Sequence, residues 1–124
     1  MKDNRPVNLD LTSIQLPITA YVSILHRASG IFIFVGLAVL LCMLDQSLES
    51  KAAFEELQVS LSSTPAKLIV WLVLTATAYH SLAGIKHLIM DLGIGESLEG
   101  GVMGARIVLV LSVVSAVLLG MWIW

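Results

Sequence analysis

The sequence predicts an all-α membrane protein: three transmembrane helices forming part of a multi-subunit helical bundle. Composition is the first observation. Of 124 residues, 57% are hydrophobic and only 13% charged, and the mean hydropathy is +0.91. That suits a lipid-embedded chain better than a water-soluble domain of this length. The second observation is three apolar stretches, near 18–44, 65–90 and 104–124. Each is long enough, at about 1.5 Å per residue, to cross a hydrocarbon layer of about 30 Å. The third is that three spans in so short a chain leave little interior of their own. Their remaining faces must meet lipid or the helices of other chains.

The same numbers exclude several classes. The net charge is −2, which gives no basic patch for nucleic acid. Cys42 is the single cysteine. An internal disulfide, a cysteine-ligated iron–sulfur cluster within this chain and a C-x-x-C-H haem attachment are therefore ruled out, and any haem is held non-covalently. The first residues include Lys2, Asp3, Arg5 and Asp10, and the apolar run that follows is too long for a signal-peptide core. With no Arg- and Ser-rich leader either, a bacterial inner membrane is the simplest expected location, a processed organellar form being the alternative.

Residues 1–17 read as a polar tail. Proline disfavours helix in the residue before it, so Arg5-Pro6-Val7-Asn8 is expected to be extended or turned. Leu9 to Leu16 alternates loosely between apolar and polar residues, as a short interfacial segment would. The first span covers about Ile18 to Leu44 and is roughly 40 Å long, more than a bilayer core needs. Its polar group, Ser23, His26, Arg27 and Ser29, therefore belongs at or just inside one interface. Asp45 to Ser63 is expected to be a polar loop in which Ala52 to Leu61 forms a short surface helix. Thr64-Pro65 is a helix-start signal, threonine as cap and proline at the first helical position. The second span runs from Pro65 to about Met90, where Asp91-Leu92-Gly93 ends it. Ile94 to Gly101 is a glycine-rich acidic loop. The third span runs from about Gly104 to Trp124, with Trp122 and Trp124 as interfacial anchors. Ser112, Ala116 and Gly120 make a small-residue stripe on this span, suited to close helix packing either within the chain or against a partner.

Lysine and arginine placement sets the orientation. Lys2, Arg5 and Arg27 mark the N-terminal side, and Lys86 and Arg106 flank the second loop. The first loop carries Lys51, with Lys67 just inside the next span. The tail and second loop are thus expected in the cytoplasm, and the first loop and C-terminus on the far side. His80 then lies slightly to the cytoplasmic side of the midplane, an estimated 5–10 Å deeper than Arg27.

Chemistry concentrates in Ala76-Thr77-Ala78-Tyr79-His80-Ser81-Leu82-Ala83-Gly84-Ile85-Lys86-His87. Histidine inside an apolar span is costly and marks a candidate site. A neutral imidazole is a good iron ligand. Ala76 and Gly84, one turn either side of His80, leave room for a flat macrocycle. The alternative is a histidine hydrogen-bonded to a neighbouring helix. His87 shares its face but lies about 10 Å away along the axis, nearer the interface, where solvent or lipid is its expected neighbour. On the first span, Ser23 and Arg27 are four residues apart and share a face. Together they can clamp a small polar headgroup with an apolar tail, unless Arg27 only reaches for lipid headgroups. His26, about 100° round the helix, is expected to face a different neighbour. No nucleophile–base–acid set and no phosphate loop appears. The chain alone reads as a cofactor or ligand scaffold more than an enzyme.

Three groups of residues carry a family resemblance over essentially the whole chain. They are Arg5-Pro6-Val7-Asn8-Leu9, then Ser23-Ile24-Leu25-His26-Arg27-Ala28-Ser29-Gly30, and His80-x-x-x-Gly84-Ile85-Lys86-His87-x-x-x-Asp91. With the three-span layout and the length, the chain resembles the cytochrome b subunit of succinate dehydrogenase, the larger membrane anchor of respiratory complex II, in its proteobacterial form. The resemblance implies one membrane-anchor domain over residues 1–124. It implies that His80 is one axial ligand of a b-type haem and that the small anchor subunit supplies the other. His26 and Arg27 would lie near the haem propionates. Ser23 and Arg27 would help form a ubiquinone pocket completed by the iron–sulfur subunit and the small anchor, with succinate oxidised on a flavoprotein subunit. Lys86 departs from the family, which usually has arginine there, so a point charge replaces a planar fork. The anchor of a fumarate reductase and a haem-less structural anchor are the alternatives within this architecture. A small transporter using His80 and Arg27 as relay or packing residues is the alternative outside it.

Overall fold

Each apolar stretch folds as one long helix, and the polar connection after the first contributes a shorter one. The computed structural model describes residues 15–124; the order is α1 (Ile18–Glu49), α2 (Lys51–Leu61), α3 (Thr64–Asp91) and α4 (Leu98–Ile123). The tail motif Arg5-Pro6-Val7-Asn8-Leu9, and nearly all of the expected interfacial segment before Leu16, lie outside the described residues. Helices α1, α3 and α4 are each long and apolar enough to cross a membrane.

The helix ends depart from the sequence expectation in instructive ways. α1 does not stop at Leu44 but continues through Asp45 to Glu49. Polar residues end a hydrophobic span without ending a helix, because the helical hydrogen bonds do not depend on apolar side chains. Ser50, extended at φ −162° and ψ 165°, ends α1 and caps α2, its side chain accepting from the Ala53 N–H at 3.1 Å. Most of the expected loop is therefore helical. α2 keeps the expected short surface form, with Leu57 buried beneath it and Lys51 and Glu55 paired at 3.8 Å on its exposed side. At the start of α3 the cap is Ser63, one residue earlier than expected, with Pro65 in the first turn. α4 begins at Leu98 rather than Gly104, because Ser97 caps it by accepting from the Gly100 N–H at 3.1 Å and Glu99 suits the positive helix start. The α3–α4 connection shrinks accordingly and turns through Gly93 (φ 81°) and Gly95 (φ 75°).

α3 is the central helix and packs against both α1 and α4. It runs antiparallel to each. Along α1, Gly30 meets His80 while the later Gly36 meets Val73. Along α4, Gly104 meets Lys86 while the later Gly120 meets Trp71. A Cβ at Gly36 would lie 2.9 Å from both methyls of Val73, so the Val73 side chain packs onto α1 where a glycine leaves it space. The buried core is Val22, Ala83, Ala105 and Val108, ringed by Ile18, Tyr79, Leu82 and Leu109. Among the described residues, three side-chain-to-backbone bonds cross between helices, two of them away from the histidines. The Tyr79 hydroxyl donates to the Val22 carbonyl at 2.7 Å, and the Trp71 indole N–H donates to the Ala116 carbonyl at 2.9 Å.

The Trp71 contact answers which surface the small-residue stripe serves. Ala116 accepts from Trp71, and a Cβ at Gly120 would lie 3.5 Å from the Trp71 Nε1. Ser112 turns its hydroxyl to the Val108 carbonyl of its own helix. The lower stripe packs within the chain. Outside this small core, large apolar side chains stand open: Phe34 is 78% exposed, Leu88 66% and Val113 63%. A helix apolar all round in this way belongs in lipid or against other helices.

Candidate functional site

The polar residues of α1 and the histidines of α3 meet at one level of the bundle. The His80 ring lies against α1 beside Ser29 and Gly30. A Cβ added at Gly30 would sit 3.1 Å from the ring's Cε1, so a side chain here would require the imidazole to give way by a few tenths of an ångström. Its Nδ1 is 3.1 Å from the His26 main-chain carbonyl and 3.0 Å from the Ser29 hydroxyl oxygen. The Ser29 hydroxyl in turn donates to the same carbonyl at 2.8 Å.

This geometry assigns the tautomer. A carbonyl oxygen only accepts, so the proton sits on Nδ1 of His80 and donates to the carbonyl and to Ser29. Nε2 then keeps its lone pair and is the ring nitrogen left able to accept a proton or a metal. Metal-binding histidines are commonly held in this way, by a main-chain carbonyl on the other ring nitrogen. Among the described residues no three or more His, Cys, Asp or Glu side chains are grouped to hold a metal ion. Within the described part of the chain, His80 thus offers one ligand rather than a coordination sphere.

His26 faces α3, whereas Arg27, next to it in sequence, is exposed, so the two have different neighbours as their angular separation on the helix leads one to expect. The His26 and His80 rings stack, centroids 4.1 Å apart and planes 19° from parallel. His87 packs on the far side of His26, 5.2 Å between centroids and tilted by 50°. His87 is half-buried and so is not the solvent- or lipid-facing residue expected from its depth. His80 and His87 share a face of α3, and His26 projects from α1 between them. The Nε2 of His26 is buried without a hydrogen-bond partner, 3.6 Å from where a Cβ at Gly84 would be. Gly84 thus packs against His26 at a distance that an added Cβ would also tolerate. Ala76 instead lines an apolar groove of about 610 Å³ between α1, α3 and α4. The two small residues expected to bound one groove beside His80 serve two different contacts.

Ser23 is half-buried and Arg27 exposed, on the opening turns of α1. The His80 contact at Gly30 lies about 4–5 Å deeper along α1 than Arg27, three residues at the helical rise. Lys86 leaves the cluster altogether. Its stem runs along α4, with Cε 3.2 Å from where a Cβ at Gly104 would be, so it lies on the α4 side of α3. Sequence reasoning did not single out Ser29 and Gly30 as site residues. Their place next to His26 and Arg27, in a polar patch on an apolar span, was the available signal.

Comparisons with known proteins give the family of the chain. Residues 1–119 match the family described as succinate dehydrogenase/fumarate reductase transmembrane subunit. The chain is 43% identical over 125 residues to the succinate dehydrogenase cytochrome b556 subunit of Coxiella burnetii, covering the whole of both chains. It is 31% identical over 117 residues to the cytochrome b556 subunit of Paracoccus denitrificans, covering 94% of this chain and 90% of that one. It is 30% identical over 116 residues to the mitochondrial cytochrome b560 subunit of Mus musculus, covering 91% of this chain and 68% of that one. The chain belongs to the succinate dehydrogenase/fumarate reductase transmembrane subunit family and is a multi-pass membrane protein.

Proposed function

We propose that this chain is the haem b-binding larger anchor of a succinate dehydrogenase complex, and that it helps build the site where ubiquinone is reduced. The observation that carries the reading is the His80 ring, held at Nδ1 by the His26 carbonyl and Ser29 so that Nε2 is free to bind iron. The neighbouring residues fit a haem. The buried, unpartnered Nε2 of His26 calls for a polar partner, which a propionate supplies. Arg27 adds a cation beside it. Haem b, when bound, supplies a one-electron carrier near the quinone. The small anchor subunit would supply the second histidine that holds the haem.

Ser23 and Arg27 act on the quinone itself. The hydroxyl and the guanidinium donate to its carbonyl oxygens, and these bonds strengthen as negative charge builds there during reduction. The apolar faces around them accept the isoprenoid tail. Electrons arrive from succinate through the flavoprotein and iron–sulfur subunits. The names of the relatives, all succinate dehydrogenase subunits, favour this direction over fumarate reduction.

The chain is placed in a bacterial inner membrane with its N-terminus cytoplasmic and its C-terminus periplasmic. The bias of Lys and Arg toward the tail and the α3–α4 connection supports this orientation. Trp122 and Trp124, 77% and 57% exposed at the end of α4, suit a membrane interface on either side. The test is a redox difference spectrum of the purified intact complex. A b-type haem reduced on adding succinate is expected. A complex that oxidises succinate with no haem spectrum would favour the haem-less anchor.

A further inference from the structure

We propose that Ser29 is a positioning residue for the iron-binding histidine. Its hydroxyl, together with the His26 carbonyl, holds the Nδ1–H of His80 and thereby sets the redox potential of the iron bound at Nε2. The inference rests on His80 being the haem ligand, as proposed above.

Ser29 has two bonds, and they depend on each other. Its hydroxyl proton is committed to the His26 carbonyl at 2.8 Å, the backbone acceptor three residues back on its own helix. That fixes the hydroxyl rotor and turns an oxygen lone pair toward Nδ1 of His80, 3.0 Å away. The next residue, Gly30, supplies the gap that lets the ring reach this oxygen. Ser29 also lines the apolar groove between α1, α3 and α4, beside Phe32, Ala76 and Tyr79. In such surroundings water does not compete for the bond, and a hydrogen bond is electrostatically stronger than in water.

An acceptor on Nδ1–H draws that proton away from the ring and makes Nε2 a better electron donor. A better donor favours ferric over ferrous iron, so hydrogen bonding at this position lowers the potential. Replacing Ser29 by alanine removes one of two acceptors. The His26 carbonyl remains to hold the ring, so haem is retained while the potential rises. If Ser29 only bonded its own helix and filled space, its loss would weaken the bundle and leave the potential where it was.

The experiment is a potentiometric titration of the haem in the whole complex in native membranes, comparing wild type, Ser29→Ala and Ser29→Thr. Ser29→Ala is expected to keep its haem and to show a higher ratio of reduced to oxidised haem at the wild-type midpoint. Ser29→Thr keeps a hydroxyl and is expected to return the ratio toward wild type. Loss of haem in the alanine variant with retention in the threonine variant also supports the requirement for the hydroxyl. An unchanged midpoint in Ser29→Ala overturns the inference, as does loss of haem in both variants. A wild-type complex without haem overturns the reading of His80 itself, and is distinguished from the other failures because no titration is then seen.

Discussion

At the scale of single residues, the site is a set of close contacts around one imidazole. Arg27→Ala is expected to lower quinone reductase activity by about 10- to 100-fold, the worth of a charge-assisted hydrogen bond. Succinate oxidation by an artificial dye is expected to be spared, and equal loss in both assays would remove Arg27 from the quinone site. Gly30→Val places a branched side chain where even a Cβ lies 3.1 Å from His80 Cε1. It is expected to shift or abolish the haem absorbance while Ala28→Val, one residue from Ser29, leaves it in place. His80 was legible in the sequence because an imidazole in an apolar run stands out. The partnership of His26 with it was not. Helical spacing tells which residues of α1 share a face, but how α1 is rotated about its own axis is decided by its contacts with α3. Those contacts, Gly30 under His80 and Gly36 under Val73, rest on residues without a side chain to advertise them.

At the scale of helices, inter-helix hydrogen bonds and glycine contacts hold α3 to both neighbours. Trp71→Phe removes the indole N–H that bonds the Ala116 carbonyl at 2.9 Å and keeps most of the ring. The expected loss is about 0.6–2 kcal/mol, the range for hydrogen bonds between membrane helices. It is measurable as a lower melting temperature of the detergent-solubilised complex, and an unchanged melting temperature would deny the bond any part in stability. Gly36→Leu is expected to do more damage, because its Cβ alone meets Val73 at 2.9 Å and both helices must separate. The yield of assembled complex in membranes reports this directly. The existence and order of the long helices were legible from apolar length, and the start of α3 from Thr64-Pro65 to within a residue. The far end of α1 and the start of α4 were not. In both places polar or glycine-rich sequence hid helix that local caps, Ser50 and Ser97, delimit.

At the scale of the whole molecule, the chain buries little of its own apolar surface and presents the rest outward. Three helices with a core of two valines and two alanines do not make a self-sufficient bundle. Produced without the small anchor, the chain is expected to fail to retain haem in detergent, and co-production of the two anchors is expected to restore it. Haem bound with a normal spectrum to this chain alone would mean that it supplies both axial ligands itself. The need for partners was legible in the composition. Which faces they cover was not, because no residue pattern distinguishes lipid-facing leucine from partner-facing leucine.

The central claim is that His80, and not His87, is this chain's ligand to the haem. Both histidines are half-buried on one face of α3, and both lie close to His26. Only His80 has Nδ1 held by a main-chain carbonyl with Nε2 left to bind. The direct measurement is the reduced-minus-oxidised spectrum of the intact complex carrying His80→Ala or His87→Ala. The predicted result is a lost or strongly perturbed b-type spectrum in the first and a retained one in the second. A normal spectrum in His80→Ala with its loss in His87→Ala would contradict the assignment and move the iron about 10 Å, two helical turns, along the same face.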